Sequence, residues 1–299
     1  MKKNRRSSRR TFLAQTALGT AGLATVGAEA AEPGSQISDL QSQISGEGAG
    51  PTPPNILWIW CDNLAYGDLS CYGNTRIETP VIDGLAREGV RLTQHYIAHT
   101  VCSPSRAALL TGRQPWRVGI VDVLRPDSPS GLPGDELTLG GALRAQGYAT
   151  GAIGKWHLGD RVEYLPKQRG FDHYFGLPYS MDMLPTVLYR DNEIVDELAG
   201  DKVQDVTGRL VDAAVDFITE HKDGPFFVYF SHTTPHPPIN IPPEYRHPDH
   251  TIYDDALEYM DAETGRLLDA LDELGLRENT LVIFSSDNGP MSKYGDTGG

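Results

Sequence analysis

The stretch NILWIWCDN, residues 55–63, joins a short, mostly apolar run to the polar pair Asp62-Asn63. An apolar run of this length that ends at turn-forming residues is typical of a buried β-strand. Three later segments have the same form, namely YATGAI at 148–153, FFVYF at 226–230 and LVIFS at 281–285. The sequence therefore predicts at least four short buried strands, each followed by polar residues.

Helical patterns lie between these strands. They predict helices over residues 81–89, 105–111, 139–146, 206–220 and 257–274. The last helix has one apolar face and one strongly acidic face, and the acidic face is most simply a solvated surface. Alternation of strands and helices predicts the α/β class, with a largely parallel central sheet sandwiched by helices.

Composition excludes some functions. The 299 residues carry a net charge of −14, and residues 1–30 alone carry +5, so the rest of the chain carries −19. An acidic body of this kind repels nucleic acid. No segment after the N-terminus is apolar enough for a stable membrane span. The length suits one large α/β domain or two small ones.

The N-terminal sequence has the pattern of an export signal. Arg9-Arg10 begins a twin-arginine pattern, a mildly apolar run covers residues 14–26, and Ala28-Glu29-Ala30 has the form of a cleavage site. The alternative is a basic disordered tail. We expect a signal peptide over 1–30, a Gly/Ser/Pro-rich linker over 31–54, and a folded domain over 55–299. The signal predicts a twin-arginine translocase as partner and a periplasmic or secreted location.

Polar residues follow each of the four strands. Taken singly, each has an ordinary explanation as a turn or a solvent-facing group. Together they predict a site, because ligands of open α/β sheets bind at the carboxyl ends of the strands. The residues concerned are Asp62, Asn63, Lys155, His157, His236, Asp287 and Asn288.

These side chains fall into two chemical groups. Asp62, Asn63, Asp287 and Asn288 offer oxygen atoms, which suit Ca²⁺ or Mg²⁺ better than zinc. The remaining three, a lysine and two histidines, offer positive charge and proton donors. A cation beside such groups would bind a tetrahedral oxyanion, either sulfate or phosphate.

The segment VCSPSRAALLTGR, residues 101–113, places Cys102 at the start of a predicted helix. A thiolate at a helix N-terminus would be activated. A protein-tyrosine-phosphatase loop would need five residues between the cysteine and the arginine, and only three precede Arg106. The plain alternative is a buried, inert cysteine.

The motif Cys102-Ser103-Pro104-Ser105-Arg106 resembles the signature of the type I sulfatases, which are formylglycine-dependent enzymes of the alkaline phosphatase superfamily. Further segments are similar to that family in the same order: 55–73, GKWHLG at 154–159, GFD at 170–172, PH at 235–236 and SDNGP at 286–290. The resemblance implies an alkaline phosphatase-like fold. It also implies that Cys102 is oxidised to formylglycine by a formylglycine-generating enzyme or another sulfatase maturase.

The resemblance further implies a role for each residue in cleaving a sulfate ester of an aryl alcohol or a carbohydrate. The four oxygen donors would bind a cation, usually Ca²⁺. The hydrated formylglycine at Cys102 would attack sulfur, and Arg106 and Lys155 would stabilise its oxyanion. His157 would hydrogen-bond the second hydroxyl and help deprotonate it, while His236 would contact the sulfate and assist departure of the alcohol.

Two departures from the family pattern qualify this interpretation. The family commonly has Asp where this chain has Asn63, so the cation site loses one negative charge. Family members also continue past the Gly298-Gly299 loop to a sulfate-binding lysine and a smaller C-terminal domain, and Lys293 is no substitute for that lysine. We therefore expect a catalytic domain that is incomplete at its C-terminus.

Two other functions stay open at this point. A phosphonate or phosphate ester hydrolase of the same superfamily would use the same groups. A truncated remnant that only binds metal would need none of the chemistry. Cys61 and Cys71 could pair after export. Two reduced, partly buried thiols are the favoured expectation, because spacing alone does not establish bridging geometry.

Overall fold

The computed structural model describes residues 52–290 of the chain. The predicted signal peptide, all of the predicted linker except residues 52–54, and Lys293 lie outside this range. Within it, no helix is both long enough and apolar enough to cross a membrane.

The described residues form one seven-stranded sheet. Its strands are β1 (Asn55–Cys61), β2 (Ala149–Gly154), β3 (His173–Gly176), β4 (Val187–Arg190), β5 (Glu193–Glu197), β6 (Phe226–Ser231) and β7 (Thr280–Ser286). Their order across the sheet is β5-β4-β3-β2-β6-β1-β7. Neighbouring strands pair in parallel across β3, β2, β6, β1 and β7. At the other edge, β4 pairs antiparallel with both β3 and β5.

The helices connect the strands. They are α1 (Pro80–Glu88), α2 (Cys102–Thr111), α3 (Pro115–Val118), α4 (Leu139–Ala145), α5 (Val206–Glu220) and α6 (Ile252–Glu273). Short 3₁₀ turns cover Tyr66–Asp68, Ser70–Tyr72, Val162–Tyr164, Pro166–Arg169, Gly200–Val203, Pro243–Tyr245 and Arg277–Asn279.

The central strand β6 shows how the sheet is covered on both faces. Every residue of β6 is buried, and successive side chains of a strand point to opposite faces. Phe226, Val228 and Phe230 join the core formed with helices α5 and α6. Phe227 and Tyr229 join the core on the opposite face, which includes side chains of α2. The predicted sandwich of helices around a largely parallel sheet is confirmed.

Predicted and observed elements agree for the four buried strands and differ at the margins. The last helix, expected from residue 257, begins at Ile252, because Thr251 and Asp254 form a reciprocal capping box there. Helix α2 begins at Cys102, three residues before the predicted start. The sequence pattern also missed β3, β4 and β5, which are only four or five residues long.

Candidate active site

Strands β1 and β7 lie side by side and bring the four predicted oxygen donors together. The two strands pair in parallel up to Cys61 and Ser286, so the Asp-Asn pair that follows each strand emerges at the same edge. The amide of Asp287 donates to the carbonyl of Cys61 at 3.1 Å, and the amide of Asn63 donates to Asp287 Oδ1 at 3.1 Å. The two loops are therefore fastened to each other at the carboxyl end of the sheet.

Strands β2 and β6 bring the basic residues to the same edge. The amide of Lys155, just after β2, donates to the carbonyl of Ser231 at 3.0 Å. This close approach requires Gly154, whose φ is +106° and whose missing Cβ would lie 1.8 Å from the Ser231 carbonyl oxygen. Lys155 is fully buried, as are the predicted site residues around it.

Two site residues have an unusual backbone conformation. Asn63 has φ of 66° and His157 has φ of 60°. Residues other than glycine seldom adopt this left-handed region, and their strain is typically stored at functional sites. The two residues lie in the loops that follow β1 and β2, so the strain lies at the edge of the sheet where the polar side chains gather.

Helix α2 carries Arg106 into the middle of this group. Its Nε and Nη2 donate to Asp287 Oδ2 at 3.0 and 2.7 Å, and Nη1 donates to the carbonyl of Lys155 at 3.0 Å and to Ser231 Oγ. Arg106 Nη2 also lies 3.7 Å from Asp62 Oδ1. With its donors engaged by protein groups, Arg106 holds the Asp287 carboxylate in place.

Cys102 lies at the first position of α2, as the sequence predicted, and it is buried. Its Sγ is 3.4 Å from Lys155 Nζ and 3.6 Å from Asp62 Oδ1, and a ligating atom of His236 lies within 4.8 Å of both the thiol and the Asp62 carboxylate. Burial raises the pKa of Cys102 to about 12, and the charges of Asp62 and Asp287 act in the same direction. Lys155 and Arg106 lower this pKa, but not enough to offset the other causes. The pKa of the thiol is thus raised in this site, and activation of a thiolate by the helix N-terminus stays a prediction.

The two carboxylates of the site have opposite pKa shifts. Burial raises the pKa of Asp62, but the charges of Lys155, His236 and Arg106 outweigh burial and lower it below the usual range. Lys155 Nζ lies 2.5 Å from Asp62 Oδ2. Burial and the neighbouring Asp62 raise the pKa of Asp287 to about 6 despite its contact with Arg106. Two buried carboxylates this close leave negative charge that a cation would neutralise.

The amide side chains complete the oxygen donors. Asn63 Oδ1 accepts from Asn288 Nδ2 at 2.5 Å, whereas Asn288 Oδ1 is buried without any hydrogen-bond partner. An orphaned buried oxygen is costly unless a ligand satisfies it. The donor set of two carboxylates and two amides, with one oxygen free, therefore fits a hard divalent cation.

The two histidines present free ring nitrogens. His157 Nε2 donates to the carbonyl of Leu124 at 3.0 Å, which leaves its buried Nδ1 without a partner. Burial, followed by the charges of Lys155 and Arg106, lowers the pKa of His157 well below its usual range. Burial also lowers the pKa of His236, whose Nδ1 contacts the carbonyl of Pro237. Burial therefore favours the neutral form of both rings.

All nine predicted site residues lie at one end of the sheet. The pattern of strands followed by polar residues missed three supporting groups. Ser105 Oγ donates to the carbonyl of Asp287 at 2.5 Å, Ser231 Oγ accepts from Arg106, and the carbonyl of Leu124 fixes the His157 ring. Ser231 could have been found from the sequence, since it is a polar residue at the end of a buried strand. The carbonyl of Leu124 could not, because any residue type has a backbone carbonyl and only the fold brings this one to His157.

The fold and this end of the sheet define an α/β protein in which buried carboxylates, amides and basic side chains gather beside a cysteine in the first turn of a helix. A protein-family model for sulfatases matches residues 54–299, and the chain belongs to the sulfatase family.

Comparison with known proteins agrees with this assignment. The chain is 39% identical to arylsulfatase A of Bos taurus over 84% of the chain and 55% of that protein. It is 36% identical to N-acetylgalactosamine-6-sulfatase of Rattus norvegicus over 80% of the chain and 50% of that protein. The chain thus spans about half the length of these curated relatives.

Solved structures show the same fold. A Bacteroides thetaiotaomicron protein, described in connection with the metabolism of multiple glycosaminoglycans, superposes with a TM-score of 0.76 at 30% identity, over 81% of this chain and 64% of that one. A Pseudoalteromonas sulfatase superposes with a TM-score of 0.73 at 32% identity, over 86% and 58% of the two chains. The fold is the alkaline phosphatase-like α/β fold that the sequence predicted.

Proposed function

We propose that the protein containing this chain hydrolyses sulfate esters, with Cys102 as the precursor of a formylglycine. The observation that carries the proposal is the position of Cys102. Its thiol lies 3.4 Å from Lys155 Nζ, among the acidic and basic groups of the site, yet burial and two carboxylates raise its pKa to about 12. Position 102 therefore places the modified side chain where the oxygen donors and the basic groups meet, which is where a nucleophile towards sulfate is needed.

A divalent cation, Ca²⁺ or alternatively Mg²⁺, would be held by Asp62, Asn63, Asp287 and Asn288. The raised pKa of Asp287 and the orphaned Asn288 Oδ1 support this assignment. The cation would supply positive charge against the developing negative charge on the sulfate oxygens. Because Asn63 stands where the family commonly has an aspartate, we expect a weaker cation site than one with three carboxylates.

The hydrated aldehyde would supply one hydroxyl as nucleophile and a second one for its own regeneration. Lys155 lies close enough to position 102 to neutralise an oxyanion formed there. His157 has a free, buried Nδ1 that accepts a proton, because the carbonyl of Leu124 holds its other nitrogen protonated. Both side chains come from the loop after β2.

His236 is the proposed proton donor to the departing alcohol. It comes from the loop after β6 and lies beside Asp62 and Cys102. Burial lowers the pKa of His236 overall, and the carboxylate of Asp62 opposes this shift. Arg106 would act on the oxyanion through Asp287 and Lys155, since its donors are engaged with those groups.

The twin-arginine pattern and the cysteine motif give the proposed partners. A formylglycine-generating enzyme would modify Cys102, and a twin-arginine translocase would export the protein to the periplasm or beyond. Sulfate esters of aryl alcohols or carbohydrates are the proposed substrates. Both kinds fit the relatives' names, arylsulfatase A and N-acetylgalactosamine-6-sulfatase.

The test is a matched pair of substrates and a mass measurement. The chain, and a version extended with any coding sequence that follows Gly299, would be coexpressed with a formylglycine-generating enzyme. We expect the peptide that contains residue 102 to lose the mass of the thiol, and an aryl sulfate to be hydrolysed faster than the matched aryl phosphate. Full sulfatase activity with an unmodified Cys102 would overturn the mechanism. Faster phosphate hydrolysis would assign the protein to phosphate or phosphonate esters instead.

A further inference from the structure

A second group of metal-binding side chains lies away from the candidate active site, where helix α6 begins. It consists of His247, His250, Asp255 and Glu258, and is called here the His–carboxylate cluster. Each residue offers one ligand atom, and the four atoms lie within 4.8 Å of one another. We propose that the His–carboxylate cluster binds a Zn²⁺ ion, separate from the cation of the candidate active site.

The local fold brings these side chains together. Asp255 and Glu258 are three residues apart on α6, so they lie on the same face of the helix. The two histidines belong to the turn before the helix, in which the amide of His250 donates to the carbonyl of His247 at 3.3 Å. The amide of His247 also donates to Asp255 Oδ1 at 3.3 Å. The turn therefore aims both rings at the two carboxylates.

The distances within the His–carboxylate cluster match the edges of a tetrahedron around zinc. Nδ1 of His247 lies 3.2 Å from Asp255 Oδ1 and 3.4 Å from Glu258 Oε2. The corresponding distances from Nδ1 of His250 are 3.3 and 3.6 Å. Zinc bonds of about 2.0–2.2 Å in tetrahedral geometry give ligand-to-ligand distances of about 3.4 Å. The four histidine–carboxylate distances therefore agree with a single ion between the four atoms, and the two remaining distances lie within 4.8 Å.

The same distances are poor for direct ion pairs. A charge-assisted N–H···O bond between a protonated histidine and a carboxylate is about 2.7–2.9 Å long, shorter than all four contacts. Nδ1 of His250 is buried and makes no hydrogen bond at all. His247 Nδ1 makes a long hydrogen bond to Asp255 Oδ1 at 3.2 Å, and His250 Nδ1 makes none. Because both rings share the same two carboxylate oxygens, a metal ion would satisfy them better.

The surroundings favour a bound ion. The Asp255 side chain is fully buried, whereas those of Glu258, His250 and His247 are 25%, 27% and 50% exposed. An ion can therefore enter from solvent and still reach a desolvated ligand. Arg246 Nε lies 3.0 Å from Asp255 Oδ2 and fixes the orientation of that carboxylate from outside. Two imidazoles and two carboxylates select zinc over Ca²⁺, which prefers oxygen ligands alone.

The ion would have a structural role. The His–carboxylate cluster ties residues 246–250, the end of the connection from β6, to the first turns of α6. The same connection carries His236 into the candidate active site. Zinc at this position would fasten one end of the loop that holds His236, with four protein ligands and no open position for chemistry.

The test is a metal titration that excludes the candidate active site. Asp62, Cys102 and His236 also group closely enough to bind zinc, so the titration uses the Cys102→Ala chain saturated with Ca²⁺. We expect one equivalent of Co²⁺ to bind with the absorption of a four-coordinate nitrogen and oxygen site, and Zn²⁺ to displace it. His247→Ala and His250→Ala should each weaken Zn²⁺ binding at least about a hundredfold, because each removes one of four ligands.

The control is His95→Ala, which removes an exposed histidine distant in sequence from the His–carboxylate cluster. It should leave Zn²⁺ affinity unchanged. Zn²⁺ should also raise the melting temperature of the parent and of the control but not of the two cluster variants, since only native protein with the site binds it. Equal Zn²⁺ affinity in all four proteins, or no Zn²⁺ binding by the parent, would overturn the proposal. Hydrolysis enters none of these measurements, so they stand or fall independently of the proposed sulfatase function.

Discussion

At the scale of single residues, Cys102 shows how position decides the chemistry of a side chain. A helix N-terminus favours a thiolate, but burial and two nearby carboxylates raise the pKa of this thiol to about 12. We predict that Cys102→Ser abolishes repeated turnover in a preparation that carries formylglycine at position 102 of the parent. A serine has one hydroxyl and lacks the second one through which a hydrated aldehyde releases sulfate.

Steady-state assays of an aryl sulfate would check this prediction. At most a single equivalent of alcohol should be released per serine variant. The matched control is Cys71→Ser, which changes a half-buried free thiol of the same protein and should retain turnover. Continued turnover by Cys102→Ser would show that the aldehyde is not the nucleophile.

Asp62 and Asp287 provide the second prediction at this scale. Asp62→Asn and Asp287→Asn should each weaken Ca²⁺ binding by at least about tenfold, because each removes one of the two charges in the set of four oxygen donors. Asn63→Asp should keep or tighten binding, since it adds a charge at the same position. Calorimetric titration of folded variants would decide the matter. Undiminished Ca²⁺ affinity in both asparagine variants would mean that the ligands lie elsewhere.

His232 has no role in the proposed mechanism. We predict that it makes the free energy of unfolding depend on pH under acidic conditions. It is fully buried, and desolvation lowers its pKa to about 3. The unfolded chain binds a proton at this histidine near pH 6.5 and the folded protein does not. The free energy of unfolding should therefore fall as the pH drops below about 6.5, by about 2 kcal/mol from this group at pH 5.

The variant His232→Gln tests this assignment. Glutamine keeps a polar group near the Thr264 hydroxyl, 3.5 Å from His232 Nε2, and does not titrate. Denaturant unfolding at pH 7 and pH 5 should show a smaller loss of stability for the variant than for the parent. An identical loss in both proteins would assign the acid sensitivity to other groups.

At the scale of secondary-structure elements, the carboxyl ends of β2 and β6 depend on one glycine. A Cβ at Gly154 would lie 1.8 Å from the carbonyl oxygen of Ser231, and the residue has φ of +106°. We predict that Gly154→Ala lowers the free energy of unfolding by roughly 4 kcal/mol or more, because two backbones must separate. Gly147→Ala is the matched control, since Gly147 also has positive φ (84°) but no atom within 4 Å of a Cβ.

The control variant should lose only about 1–2 kcal/mol, the cost of the left-handed conformation alone. Urea unfolding gives the loss in free energy of unfolding for each variant. The difference between the two losses is the cost of the steric clash at Gly154. Equal losses would mean that the β2 and β6 ends can separate freely. In that case the placement of Lys155 beside Ser231 would not depend on the close approach.

The elements also show what the sequence could and could not predict. Buried parallel strands such as β6 are continuous apolar runs, and the polar residues that follow them predicted seven of the nine site residues. Cys102 and Arg106 came from the motif at the start of α2. The edge strand β5 was missed because it is mostly exposed. Its sequence EIVDE therefore shows neither a continuous apolar run nor an alternation of apolar and polar residues. The contact between the Leu124 carbonyl and His157 joins residues that are far apart in the sequence. The sequence around either residue gives no indication of it.

At the scale of the whole molecule, the two edges of the sheet differ in their protection against association. Strand β5 carries Glu193, Asp196 and Glu197, and charges on an edge strand oppose pairing with another chain. Strand β7 pairs with β1 only, among residues 52–290. Its sequence TLVIFSS has no charge, and Leu281 is 52% exposed.

We predict that the 299-residue chain associates with itself through β7, because an uncharged edge offers unpaired backbone groups to a second copy. Leu281→Lys should reduce this association, since it places a charge on the edge. Leu184→Lys is the matched control, because Leu184 is 78% exposed but lies outside the seven strands. Sedimentation velocity over a range of concentrations should show larger species for the parent and for Leu184→Lys, and mainly monomer for Leu281→Lys. If the two lysine variants associate alike, the edge of β7 is not the contact surface.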